Sequence, residues 1–186
     1  MHNLIKGLFY FSIVLWLIPP IRQYKTNYFF FFLILAFIDP LVILYSKITF
    51  QNVPLSFYIF TNFLLFISLL DTSSIKRNWF LVFSGLVVLI GIVIYSNFTT
   101  SQSLIILIAI QFLILTAILK KFIVNFALNK KINLFHLVLI LYILTIITKF
   151  FNVLTSFSDA TAFFIITTIA QIIFGFYFSI VRGNNA

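Results

Sequence analysis

Long, nearly continuous apolar runs alternate with short polar punctuation along the chain. Seven segments separate, approximately Leu4–Ile18, Tyr28–Tyr45, Pro54–Leu70, Trp79–Tyr95, Leu104–Leu119, Ile132–Thr148 and Ala160–Val181. The runs do not alternate apolar and polar residue by residue, which excludes barrel strands. Several are shorter than the ~20 residues usual for a spanning helix, but flanking Phe, Tyr or Thr extends most of them. The pattern predicts an all-α polytopic membrane protein, a seven-transmembrane-helix bundle forming a single transmembrane domain over residues 1–186. Pro19 and Pro20 are expected to end the first helix, because proline is poorly tolerated in a helix interior and disfavours helix just before it. The opening "MHNLIK" and the apolar run after it have the form of a signal peptide. No small-residue cleavage pattern follows before "PPIRQYK", so the segment is read as a retained helix.

Composition agrees with that pattern. The chain is 63% hydrophobic and 8% charged, against about 25% charged residues in a soluble domain. It has no cysteine and no glutamate; its acids are Asp39, Asp71 and Asp159, and its histidines His2 and His136. Disulfide frameworks, thiolate metal sites and cysteine nucleophiles are excluded, and neither a metal site nor a cofactor is expected. The net charge of +9 is read as loop orientation and contact with anionic lipid headgroups. Nucleic-acid binding is not expected, for want of a soluble basic domain. The 27 phenylalanines are read as lipid-facing filler favoured by AT-rich coding rather than as the lining of a pocket.

Lysine and arginine set the expected orientation. Arg22, Lys25, Lys76, Arg77, Lys120, Lys121, Lys130, Lys131 and Arg182 fall on one side of a seven-span bundle. Lys6, Lys47 and Lys149 fall on the other, which accounts for all twelve basic residues. The expectation is an outside N-terminus and a cytoplasmic C-terminus, in a bacterial inner membrane.

Polar side chains inside the spans are the candidates for function, since a charge near the bilayer centre is costly and normally faces the bundle interior. Asp39 lies within the second segment and is followed by Pro40, which removes a backbone hydrogen bond and predicts a kink opening a pocket beside the carboxylate. Lys6, Lys149 and Tyr142 are its candidate partners; Lys47 and Thr145 lie at similar depth. A protonated Asp39 bonded to a tyrosine or a backbone carbonyl is an equally cheap solution. Asn62, Gln111 and Gln171 sit near the middle of other spans. Such amides commonly bind helix to helix, and with Asp39 they could instead line a polar cavity for a solute or ion. His136 is expected to be a hydrogen-bonded interfacial residue, and Asp159 a helix N-cap.

The connection "KKFIVNFALNKK", Lys120 to Lys131, predicts either a continuation of the fifth helix or a short helix on the membrane surface. Lys121, Asn125 and Asn129 share one face. Lys120, Lys121, Lys130 and Lys131 are candidates for lipid contact or for docking a membrane or cytoplasmic protein partner.

Several seven-span chemistries lack their residues. No lysine in Ala160–Val181 could carry a retinal Schiff base, and no Pro-Gln pair marks a sugar transporter of the PQ-loop type. No convincing Ser/His or Asp/Asp pair marks an intramembrane protease. Three classes of function remain: a non-enzymatic scaffold or sensing subunit of a larger membrane system, expected first; a small-solute or ion transporter with a polar site around Asp39; and a lipid-modifying enzyme, disfavoured by the shortage of acids and histidines. Membrane lipid is the expected partner, and the small-molecule ligand is left open.

Overall fold

The computed structural model describes residues 2–70, 99–157 and 159–183. The fourth predicted segment, Trp79–Tyr95, lies outside the described residues, together with Asp71, Lys76 and Arg77. Every regular element among the described residues is helical: α1 (His2–Trp16), α2 (Ile18–Arg22), α3 (Phe29–Thr49), α4 (Leu55–Leu69), α5 (Thr100–Asn129), α6 (Leu134–Thr155) and α7 (Ala160–Ile180). Four of them, α3, α5, α6 and α7, are long and apolar enough to cross a membrane, and α4 is a shorter apolar helix. Among the described residues the protein is all-helical, and its four long apolar helices are candidate membrane spans.

Two boundaries differ from the sequence pattern. The fifth segment, expected over Leu104–Leu119, is part of a helix of 30 residues. Its start is fixed by a capping box in which the Thr99 side chain accepts from the Gln102 backbone and the Gln102 side chain accepts from the Thr99 backbone. Its end is a left-handed Lys130. Lys120 and Lys121 therefore lie on α5 itself, so the helix continues and no separate surface helix forms. The second difference concerns Pro19 and Pro20. The first helix closes before them, at Trp16, and both prolines sit in the first turn of α2. There their missing N–H groups are of no consequence.

Each long helix packs against two neighbours. α1 contacts α7 and α3, α3 contacts α4, α4 contacts α5, α5 contacts α6, and α6 contacts α7. This sequence of contacts closes on itself, giving a ring of six helices that follows chain order. The linker helix α2 packs between α3 and α7 at one end. One close approach in the ring depends on Gly175. A Cβ there would lie 3.1 Å from Trp16 Nε1 and 3.3 Å from the Leu15 side chain, so a larger residue would push α1 away from α7. The indole of Trp16 uses that proximity to donate to the Gln171 carbonyl at 3.1 Å.

The end of the ring carrying α2 is filled with aromatic rings. Phe32 and Phe178 pack at 4.9 Å between centroids, Phe135 and Phe178 at 5.4 Å, Tyr28 and Phe135 at 5.0 Å, and Trp16 and Tyr142 at 4.9 Å. Phe31, Phe32 and Phe178 have no exposed surface. Lipid-facing filler therefore describes only some of the phenylalanines; these form an interhelical core in which ring contacts add to area burial. At the same end Gln23, fully buried, donates to the Phe178 and Val181 carbonyls and accepts from the Gly183 amide at 2.8 Å. Arg22 donates to the Ile180 carbonyl and Arg182 to the Tyr24 carbonyl, each at 2.9 Å. The orphan carbonyls at the end of α7 are thus satisfied by α2 and the residues after it.

Candidate functional site: a polar cavity inside the ring

A cavity of about 300 Å³ lies inside the ring, and all six ring helices contribute to its wall. α3 supplies Asp39, α4 supplies Tyr58 and Asn62, α5 supplies Gln111, α6 supplies Tyr142 and Lys149, and α7 supplies Gln171, with Trp16 at the end of α1. The cavity runs from mid-bundle toward the end where α3 finishes and α4 and α5 begin. Trp16 and Tyr142 belong both to its lining and to the aromatic core, so that core forms its floor.

The four intramembrane polar candidates Asp39, Asn62, Gln111 and Gln171 are brought together on this one wall. Of the candidate partners of Asp39, Lys149 and Tyr142 share the cavity. Lys6 does not line it; its side chain is exposed on α1. Lys47 is exposed in the last turn of α3, and Thr145 bonds back to the Leu141 carbonyl of its own helix at 2.9 Å. α3 runs as helix through Pro40 from Phe29 to Thr49. Pro40 has no N–H to give the carbonyl of buried Ala36, one turn before Asp39.

Hydrogen bonding fixes how the amides point. A carbonyl only accepts, so the side chain that meets the Tyr58 carbonyl at 2.7 Å is the Asn62 Nδ2 group. That leaves Asn62 Oδ1 facing Gln111, and Gln111 must present Nε2 to it. Gln111 Oε1 is then the remaining acceptor. It is buried and has no partner among the described residues, on a residue only 1% exposed. Buried acceptors are normally paired, and this one belongs to a residue of the cavity wall.

Asp39 and Lys149 also share the cavity without closing on one another: among the described residues no direct ion pair joins them. The Lys149 ammonium lies 6.0 Å from the centre of the Phe164 ring.

The remaining candidates sit elsewhere. His136 is hydrogen-bonded, in the first turn of α6. It is 1% exposed and shares a hydrogen bond of 2.5 Å with the Tyr28 hydroxyl, beneath the aromatic core. Lys121 lies 5.5 Å from the centre of the Tyr28 ring, turned toward the bundle, whereas Lys120, Lys130 and Lys131 are exposed. Asn129 donates to Asn125 along the same face at 3.0 Å. Asp159 caps α7, accepting from the Thr161 amide at 2.7 Å. No group of acids and histidines among the described residues could hold a metal ion.

Sequence reasoning missed Trp16, Tyr58 and Gln23. Tyr58 and Trp16 carry no signal that separates a cavity wall from apolar packing. Gln23 had one: an amide directly after a Pro-Pro break is placed to cap a neighbouring helix end. No family model, curated protein or solved structure matches the chain.

Proposed function

We propose that the protein binds a small polar solute in the cavity within its ring of helices and acts as a transporter for it. The observation that carries this reading is the convergence of Asp39, Asn62, Gln111, Gln171 and Lys149 from five different helices on one cavity with an aromatic floor. Polar and ionisable side chains at membrane depth are expensive, and collecting them around one space, with only Asn62 and Gln111 bonded to each other among the five, suits a solute pathway. A pocket of this size with few polar groups on a largely apolar wall has the character of a small-molecule site. A floor closed at one end and a wall reaching toward the other correspond to one state of an alternating-access cycle.

In this reading α1 and the segment Trp79–Tyr95 are counted with α3, α4, α5, α6 and α7 as seven spans. The basic end carrying α2 faces the cytoplasm, and the membrane is a bacterial inner membrane. The chain performs no covalent chemistry. A second reading, a sensing subunit, is favoured by the far end of α5, where Ile123, Val124, Phe126 and Leu128 are exposed beside Lys120 and Lys130. There the same bound solute would bias a partner docked on α5.

The test uses protein purified in mild detergent and challenged with amino acids, sugars, polyamines and alkali cations. One class is expected to raise its melting temperature, and Asp39→Asn to remove that shift while the variant still elutes as a monodisperse species. A response untouched by Asp39→Asn, Gln111→Leu and Lys149→Gln would place binding outside the cavity.

A further inference from the structure

Asp39 and Lys149 face one cavity without an ion pair, and few ligand types are compatible with both. A bare cation drawn to Asp39 would meet the ammonium of Lys149 in a low-dielectric space, where like charges repel strongly. A bare anion drawn to Lys149 would meet Asp39. A neutral solute would displace water without pairing with either group. A molecule with a positive and a negative end answers both. The two ionisable groups give the direction. An ammonium, which supplies several donors, faces Asp39 on α3, and Lys149, on α6, is left for a carboxylate. The rest of the wall is mainly apolar, with Leu35, Leu55, Leu65, Ile146, Phe150 and Val153. The volume of about 300 Å³ corresponds to about ten water molecules at ~30 Å³ each, space for a small organic molecule and not merely an ion.

We infer that the ligand is a small zwitterion with an apolar side group, the chemistry of a free hydrophobic α-amino acid, held with its ammonium on Asp39 and its carboxylate on Lys149. This inference rests on the solute-binding reading above and specifies its ligand.

The experiment compares leucine with leucinamide, which keeps only the positive end, and N-acetyl-leucine, which keeps only the negative end. Binding to the purified full-length protein is measured by calorimetry and by thermal shift. Leucine is expected to bind, and each singly charged analogue to bind at least about tenfold more weakly, the effect of one lost charge-assisted hydrogen bond. Lys149→Gln should abolish the preference for leucine over leucinamide. Asp39→Asn should abolish the preference for leucine over N-acetyl-leucine. A variant that merely unfolds loses all three ligands, and the comparison on the unaltered protein then decides alone. Equal binding of leucine and either analogue by the unaltered protein would overturn the zwitterion. So would the failure of leucine, phenylalanine and betaine alike; if a sugar, polyamine or alkali cation then bound, the solute reading would stand, and if nothing bound, both would fall.

Discussion

At the residue scale, the informative group is Gln111. Its Nε2 is held by Asn62, whose own direction is set by the Tyr58 carbonyl. The pair therefore has two roles: it joins α4 to α5, and it fixes the direction of an acceptor that has no partner among the described residues. These roles separate experimentally. Asn62→Ala and Gln111→Ala are expected to show coupling of about 0.6 kcal/mol, up to ~1.7 kcal/mol, in a double-mutant cycle on unfolding, the range for hydrogen bonds between membrane helices. Strictly additive losses would mean that the amides do not bond. The sequence made Asp39, Asn62, Gln111 and Gln171 visible because polar residues stand out against an apolar background. It could not say that Gln111 would be left half-satisfied, since that depends on the direction in which Asn62 is turned, and the Tyr58 backbone decides that.

At the scale of elements, apolar runs located the helices well and their ends poorly. The run Leu104–Leu119 marks only the middle of α5, because its polar start "TTSQS" forms a capping box and its basic end "KKFIVNFALN" is itself helical. Hydropathy reads burial in lipid, whereas helix ends are set by local hydrogen bonds. The Pro-Pro pair was legible as a break, and its use as the first turn of α2 was not. Helix neighbours were also hidden, with one exception. Gly175, alone in an apolar helix, is the kind of residue that marks close helix approach, and it lies where α1 crosses α7. Gly175→Val is expected to lower the melting temperature substantially, by forcing the Leu15 and Trp16 side chains outward, and Gly175→Ala to do so less. A melting temperature unchanged by valine would show that α1 and α7 are not in contact there.

At the scale of the molecule, contacts that follow chain order close a ring, and the ring gives the isolated polar residues a common space. No single helix carries the site; five helices each contribute one or two polar side chains, and only closure of the ring assembles them. The aromatic core beneath the cavity adds a direction. Phe32, Phe135 and Phe178 close the end that carries α2, while Lys149 and Val153 lie toward the other. Solute is therefore expected to enter from the end at which α3 finishes.

The absence of cysteine from the chain makes that claim directly measurable, because an introduced cysteine has no background. Ile146 lines the cavity one turn before Lys149, and Leu144, two residues earlier on the same helix, is exposed on the outer face of the bundle. The account predicts that a charged, membrane-impermeant thiol reagent added to intact cells modifies Ile146→Cys and leaves Leu144→Cys unmodified, since a thiol in lipid neither ionises nor meets the reagent. An unreactive Ile146→Cys beside a reactive Leu144→Cys, or equal reaction at both, would contradict a water-filled cavity inside the ring.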